Sequence, residues 1–233
     1  MNTLRRRSET AHPAVIPIAS WASIARAQQD PGPENDATQP AAPQRDPYTL
    51  DVDPVTGDKL PDVKQQIIIG HEGRELRFGS ADSAEQFKKD PGRYLPSVDE
   101  RIVAQQLPYY PLETCVVSGM KLGGKMGAPI NYVYKNRLVR LCCQTCAQAF
   151  PKDPATYLDK LDEAVKARQA ESYPLKTCLV SGMQLGGAMG DPVEVVIANH
   201  LVRLCSEGWA SKLRADPVTY LNKLAAAHPG GGG

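Results

Sequence analysis

Three of the six cysteines in this 233-residue chain are close neighbours, at Cys142, Cys143 and Cys146. Thiolates are ligands of soft metal ions, and the helix N-terminus predicted here favours the thiolate form. Cys142 and Cys146 would share one face of a helix that begins early enough to include both, whereas Cys143 and Cys146 would alternatively form a C-x-x-C pair. The spacing therefore predicts either metal binding or redox chemistry at this point. The other three cysteines are Cys115, Cys178 and Cys205.

The cysteines belong to a sequence repeat with an offset of 63 residues. Residues 110–120 recur as residues 173–183, and the match continues without a gap through the segments ending at Leu158 and Leu221. A more diverged copy precedes them and contains no cysteine. This first repeat lacks a pair of cysteines that the other two share. The second repeat has it as Cys115 and Cys142, and the third has it as Cys178 and Cys205. This joint presence predicts that the two sulfurs of each pair meet in space.

Turn and cap residues at equivalent positions of the repeats predict their secondary structure. Gly73, Asn136 and Asn199 accept positive φ and lie between apolar runs, which predicts a tight β-hairpin. Asp-Pro pairs occur at residues 90–91, 153–154 and 216–217, and each is followed by apolar residues at helical spacing. Each pair therefore predicts the start of a longer helix, which follows a short one. We therefore expect an α+β fold of three tandem small modules, each with a hairpin, a short helix and a longer helix.

The N-terminal sequence is typical of export. Residues 1–27 combine a run of three arginines at 5–7, a short apolar stretch and an Ala-x-Ala exit, so we predict a cleaved signal peptide and a periplasmic or extracellular protein. Residues 28–47 predict a disordered, Pro-rich linker. The modules are expected at residues 48–107, 108–170 and 171–228, before a flexible tail at 229–233. Since no stretch has transmembrane length, we expect no membrane insertion after signal cleavage.

The second repeat resembles the YHS and TRASH group of heavy-metal-binding domains. The resemblance rests on a hairpin that leads into Cys142-x-x-x-Cys146, followed by Phe150, Asp153-Pro154 and Tyr157-Leu158. In the first repeat, residues 53–57 (Asp-Pro-Val-Thr-Gly) are similar to the Asp-Pro-Val-Cys-Gly opening of that family. The resemblance spans about residues 50 to 225 and implies a treble-clef-like module that coordinates zinc, copper or a similar thiophilic ion.

This chain departs from the family pattern at several ligand positions. Ser118 and Ser181 stand where the family often has its first cysteine, and Cys115 and Cys178 lie three residues earlier. The third repeat has Trp209 at the position of Cys146. We therefore expect at most one complete site, in the second repeat, with the other two repeats as structural partners.

Two hypotheses follow. In the first, the second module binds one ion, zinc or Cu(I), through Cys115, Cys142 and Cys146, with Cys143 as a further ligand, for metal binding, buffering or transfer. In the second, the protein is a scaffold that binds a partner protein and is stapled by disulfides, which are common in exported proteins. The pairs would be Cys115–Cys142, Cys178–Cys205 and Cys143–Cys146.

Other features narrow the function. The formal net charge of +1 gives no basic surface for nucleic acid. The sequence has no phosphate loop, dinucleotide fingerprint or Ser-His-Asp pattern, so we expect no enzyme activity. The methionines at 120, 126, 183 and 189 could supply thioethers to Cu(I), but we favour their closing a Gly-rich loop over the core. We expect His71 and His200 at the surface.

Overall fold

Three antiparallel β-hairpins, each followed by two α-helices, form the part of the chain that the computed structural model describes, residues 46–187 and 190–228. Within those residues there are six α-helices and three two-stranded sheets, which confirms the predicted α+β class. The predicted signal peptide, most of the predicted linker and the C-terminal tail lie outside the described residues.

The same order of elements occurs in each repeat. The first has strands β1 (Ile67–His71) and β2 (Arg74–Phe78) and helices α1 (Ala81–Lys89) and α2 (Pro91–Gln106). The second has β3 (Ile130–Tyr134), β4 (Arg137–Leu141), α3 (Gln144–Ala149) and α4 (Pro154–Gln169). The third has β5 (Val193–Ile197), β6 (His200–Leu204), α5 (Ala210–Ala215) and α6 (Pro217–Ala227). Four short 3-10 helices accompany them at Val63–Gln65, Leu107–Tyr109, Phe150–Lys152 and Glu207–Trp209.

The predicted turn residues have the expected backbone conformation. Gly73, Asn136 and Asn199 have φ values of 79°, 70° and 61°, and each precedes the second strand of its hairpin. Positive φ is the conformation that Gly and Asn accept most cheaply. These residues therefore fix the two-residue turns that set the strand register.

The Asp-Pro pairs begin the long helices, as predicted. The side chains of Asp153 and Asp216 accept hydrogen bonds from the backbone N–H groups of Thr156 and Thr219, three residues on. Asp90 is the N-cap residue of α2, but within the described part of the chain its side chain makes no cap hydrogen bond. Each long helix then packs its apolar stripe into the core, with Val98, Ile102, Leu161 and Val165 buried.

A glutamine at the end of α2 and another at the end of α4 join these helices to the hairpin of the following repeat. Gln106 Nε2 donates to the Asn136 carbonyl (2.7 Å), and its Oε1 accepts from the Leu138 N–H (2.8 Å). Gln169 at the end of α4 makes the same two bonds with the third hairpin, at the Asn199 carbonyl (2.9 Å) and the Leu201 N–H (2.8 Å). Successive repeats are therefore held in one orientation by buried polar groups.

A second set of buried contacts joins the hairpins directly. Arg74 Nε donates to Asn136 Oδ1 (3.0 Å), and Arg137 Nε donates to Asn199 Oδ1 (2.7 Å). Arg137 also forms an ion pair with Asp46 (3.2 Å), which lies at the end of the predicted linker and is buried. The described residues belong to one compact unit, so the repeats pack as a single body.

The first and third repeats are also in contact. Arg77 donates to the carbonyl groups of Ala215 (2.7 Å) and Arg214 (3.0 Å) at the end of α5. Asp46 Oδ2 accepts from the backbone N–H of Ala198 in the third hairpin (3.2 Å). As for membrane association, no helix among the described residues has the length and apolar character needed to cross a bilayer.

Candidate metal centre

A tight loop before the second hairpin positions Cys115. Its backbone N–H donates to the Met120 carbonyl (2.7 Å), and its own carbonyl accepts from the Gly119 N–H (2.7 Å). Gly119 has a φ of 73°, so the loop turns back sharply at that residue. The two bonds close the loop and direct the Cys115 side chain into the core, where it is buried.

The other three cysteines lie where the second hairpin passes into α3. Cys142 directly follows β4, Cys143 is the N-cap residue of α3, and Cys146 lies in the first turn of that helix. Cys142 and Cys146 are buried, and their sulfurs are 3.7 Å apart. Because α3 begins at Gln144, Cys142 lies before the helix and does not share a helix face with Cys146; the two sulfurs meet where the strand passes into the helix.

The four sulfurs form a compact group. The Cys143 sulfur lies 3.8 Å from that of Cys142 and 3.8 Å from that of Cys146. The sulfurs of Cys115, Cys142 and Cys146 all lie within 4.8 Å of one another. Three of the four cysteines predicted as ligands, Cys115, Cys142 and Cys146, are therefore brought together, and Cys143 lies beside two of them.

These separations fit a metal centre. Four sulfurs at the corners of a tetrahedron around zinc, with bonds of about 2.3 Å, lie about 3.8 Å from one another. The triangle of Cys142, Cys143 and Cys146 already has sides of 3.7 to 3.8 Å. Buried Cys115, Cys142 and Cys146 could hold a metal ion.

Ser118 is a polar member of the site that its residue type alone did not reveal. Its hydroxyl lies 3.3 Å from the Cys142 sulfur and also hydrogen bonds to Cys115. The one available signal was its position, where the resembling family carries a cysteine. In this chain a hydroxyl occupies that position and supports two thiols.

The surroundings of the thiols favour ionisation of one and oppose that of another. Burial raises the pKa of Cys115, but hydrogen bonds from Ser118 and from backbone N–H groups outweigh burial and lower this pKa to about 7. Burial raises the pKa of Cys146 to about 12, and hydrogen bonds with Cys142 and Cys143 add to that effect although Ser118 opposes it. A cation that binds here must therefore displace thiol protons, so its affinity will depend on pH.

Cys143 differs from the other three because it is only half-buried. Hydrogen bonds, the strongest from the Cys146 backbone N–H, lower the pKa of its thiol. Its place at the helix N-cap puts its sulfur on the solvent side of the group. Cys143 is thus the thiol that solvent or an exchanging partner would reach first.

In the first repeat a carboxylate fills the place of the absent thiols. Asp53 Oδ2 accepts from the Gly79 N–H (2.8 Å) and from the Ser83 hydroxyl (2.6 Å). Ser83 is the counterpart of Cys146, and Gly79 that of Cys142. The first repeat therefore closes the same loop with hydrogen bonds alone.

In the third repeat the pair Cys178 and Cys205 is buried, at 1% and 4% exposure. The Ser181 hydroxyl lies 3.3 Å from the Cys205 sulfur, as Ser118 does from Cys142. All six cysteines of the chain are free thiols in this structure, including the pairs for which disulfides were considered.

The methionines do not close the Gly-rich loops. Met120, Met126 and Met183 are 45%, 49% and 49% exposed, so the interpretation as core residues is wrong for these three; Met189 lies outside the described residues. The loops are closed by backbone hydrogen bonds instead, and Leu122 is the residue that packs against the core. The thioethers are left facing solvent.

The site thus contains three buried thiols, one half-buried thiol and one hydroxyl, all supplied by the second repeat. The buried part alone could hold a metal ion. Among known proteins, no family model, no curated protein and no solved structure matches this chain.

Proposed function

We propose that this protein is an exported metal-binding protein that holds one thiophilic ion in the second repeat. The observation that carries the proposal is the group of three buried sulfurs, of Cys115, Cys142 and Cys146, which all lie within 4.8 Å of one another, with the Cys143 sulfur 3.8 Å from two of them. Its role would be metal binding, buffering or transfer, without catalysis. This agrees with the resemblance to the YHS and TRASH domains, which implies a treble-clef-like module.

Zinc and Cu(I) are the two ions that the donor set favours. Thiolates select both, and zinc takes four ligands in a tetrahedron, which Cys115, Cys142, Cys143 and Cys146 would supply. In that arrangement the three buried cysteines anchor the ion, while half-buried Cys143 is the ligand that can exchange. An exchangeable ligand at the solvent edge suits a protein that hands its ion to a partner.

Cobalt substitution tests the proposal. The full chain, purified under reducing and anaerobic conditions, is titrated with Co(II), which gives thiolate charge-transfer absorption and intense visible bands in a tetrahedral sulfur site. We expect one equivalent to bind and zinc to displace it. Cys115→Ser, Cys142→Ser and Cys146→Ser should abolish the spectrum, and Cys143→Ser should weaken binding and shift the visible bands.

A matched control is available in the third repeat. Cys178→Ser, at the position equivalent to Cys115, should leave the Co(II) spectrum unchanged because it lies outside the proposed site. Absence of a thiolate–Co(II) spectrum in a chain with six free thiols would contradict the proposal. A protein purified without reductant that holds no metal and has no free thiol would favour the disulfide-stapled scaffold instead.

A further inference from the structure

The cysteine-containing loop of the third repeat is closed by the same two backbone hydrogen bonds as that of the second. The Cys178 N–H donates to the Met183 carbonyl (2.6 Å), and the Cys178 carbonyl accepts from the Gly182 N–H (2.8 Å). The register of the third hairpin, with Val193 opposite Leu204, matches that of the second. Cys205 therefore leaves its strand at the point where Cys142 leaves β4.

The two sulfurs of the third repeat converge on one hydroxyl. Ser181 Oγ lies 3.3 Å from the Cys205 sulfur and also hydrogen bonds to the Cys178 thiol. Backbone N–H groups of Ser181, Cys205 and Val180 are directed at the Cys178 sulfur. Both thiols lie in the core cluster of this repeat, shielded from water.

The other two ligand positions of the second repeat have changed. Ser206 replaces Cys143, and Trp209 replaces Cys146 and packs against the cluster that contains both thiols. The equivalent positions thus supply two sulfurs rather than four. Zinc in proteins takes four ligands, so a buried pair of thiols would supply only two of the four. Cu(I) and Ag(I) are satisfied by two thiolates in line, and they are soft ions that select sulfur.

We propose that Cys178 and Cys205 form a second metal site, a two-thiolate site that takes monovalent soft cations of the Cu(I) class and excludes zinc. On binding, two metal–sulfur bonds form and two thiol protons leave for solvent, with no change in oxidation state. The product carries one negative charge, which the backbone N–H groups around Cys178 offset. The site is separate from that of the second repeat and does not depend on it.

The internal repeat argues against two inert core thiols. Buried cysteines are often simply apolar side chains. The first repeat, however, closes the same loop without sulfur, through Asp53 and Ser83, so the frame does not require a thiol. The exposed thioether occurs only where the thiols do: Met120 and Met183 occupy the place of Asp58 in the first repeat.

Trp209 fluorescence can report on the proposed two-thiolate site, because the only other tryptophan of the chain is Trp21. In a Trp21→Phe background, kept reduced and anaerobic, Ag(I) should quench Trp209 emission, whereas Zn(II) should not. Adding Cys178→Ser and Cys205→Ser should abolish the quenching. The control with Cys115→Ser and Cys142→Ser should retain it. Quenching that survives loss of Cys178 and Cys205, or no quenching by Ag(I), would overturn the proposal.

A second measurement needs no substitution at the thiols. In the natural chain, Ag(I) at about ten times its dissociation constant should slow alkylation of Cys178 and Cys205 by about tenfold, while Zn(II) should leave both rates unchanged. Peptide-resolved mass spectrometry reads each cysteine separately. Equal rates with and without Ag(I) would contradict the second site. Co(II) binding in the second repeat is scored independently, so either site can fail alone.

Discussion

The Asp53 carboxylate of the first repeat and the Cys115 sulfur of the second lie at the same point of their loops and face the same set of backbone N–H groups. For Asp53 the donors belong to Val55 (2.8 Å), Thr56 (3.3 Å) and Gly79 (2.8 Å). For Cys115 they belong to the equivalent residues Val117, Ser118 and Cys142. The loop is therefore built to hold an anionic side chain, and metal binding depends on which one it holds.

This relationship predicts that folding and metal binding can be separated. The double variant Cys115→Asp with Cys146→Ser gives the second repeat the donor and acceptor that Asp53 and Ser83 provide in the first. We expect its free energy of unfolding, without metal, to stay within about 1 kcal/mol of the natural chain, since the new hydrogen bonds replace those lost. Urea denaturation with a chelator present measures this, and Co(II) titration should show no binding.

The matched control is Cys115→Ala with Cys146→Ala, which leaves the backbone N–H groups without an acceptor. It should be less stable than the Asp/Ser variant by about 1 to 3 kcal/mol. Equal stability of the two double variants would contradict the equivalence of Asp53 and Cys115.

A second prediction concerns the buried ion pairs between repeats. Arg137 pairs with Asp46 and Asp162 and donates to Asn199, and its side chain is almost fully buried. Arg137→Ala leaves these acceptors unpaired, so we expect a loss of about 3 to 5 kcal/mol in the free energy of unfolding. Arg203→Ala is the control, because its pair with Glu194 is partly exposed and should be worth about 1 kcal/mol or less. Similar losses for both variants would argue against a junction held by Arg137.

A third prediction concerns His200, which is buried and not at the surface as the sequence indicated. Its Nδ1 bonds the Ala198 carbonyl (2.8 Å), and its ring packs on Tyr109 with ring centroids 4.0 Å apart. Burial lowers the pKa of His200 to about 4, and the positive charges of Arg137 and His228 contribute. The neutral ring is therefore favoured in the folded chain.

Protonation of His200 therefore lowers the free energy of unfolding as the pH falls. Below about pH 6.5, the pKa of a histidine in the unfolded chain, the unfolded chain binds a proton that His200 does not bind in the folded chain. The contribution of His200 to the free energy of unfolding is therefore complete above about pH 6.5 and falls as the pH approaches 4. The loss amounts to about 3 kcal/mol across that window. Urea denaturation of metal-free protein at pH 7 and pH 4.5 measures it. His200→Gln should lose less stability between these pH values, and an identical loss would contradict this role for His200.

A fourth prediction is a gain of function in the third repeat. Ser206→Cys with Trp209→Cys restores the two thiols that the second repeat has and the third lacks. Since the remaining frame is the same, we expect the double variant to bind two equivalents of Co(II) in place of one, each with a thiolate spectrum. Ser206→Cys alone is the control and should stay at one equivalent. A single equivalent in the double variant would show that the frames differ in more than these two residues.

The local structure of this protein was predictable because short-range rules decide it. The hairpin turns require positive φ, which Gly73 and Asn136 indicate in the sequence, and the Asp-Pro pairs indicate where helices begin. Comparison of the repeats also predicted that Cys115 and Cys142 meet, because the pair is kept or lost together. Both sulfurs do lie in one group within 4.8 Å.

The packing of the repeats on one another was not predictable in the same way. Gln106 and Asp46 are polar residues without periodicity, so nothing in the local pattern marks them as buried contacts between repeats. The burial of His200 also depends on a contact outside its own hairpin, since its ring packs against Tyr109. The support that Ser118 gives to the thiols likewise depends on loop geometry.

X-ray absorption spectroscopy of the zinc-loaded protein tests the proposed metal centre directly, because it reads the ligand atoms around the ion. We predict four sulfur scatterers at about 2.3 Å from zinc. In Cys143→Ser we predict three sulfurs and one lighter ligand, because Cys143 supplies the solvent-side corner. A zinc shell dominated by nitrogen or oxygen, or one unchanged by loss of Cys115, would contradict a metal centre built from these four cysteines.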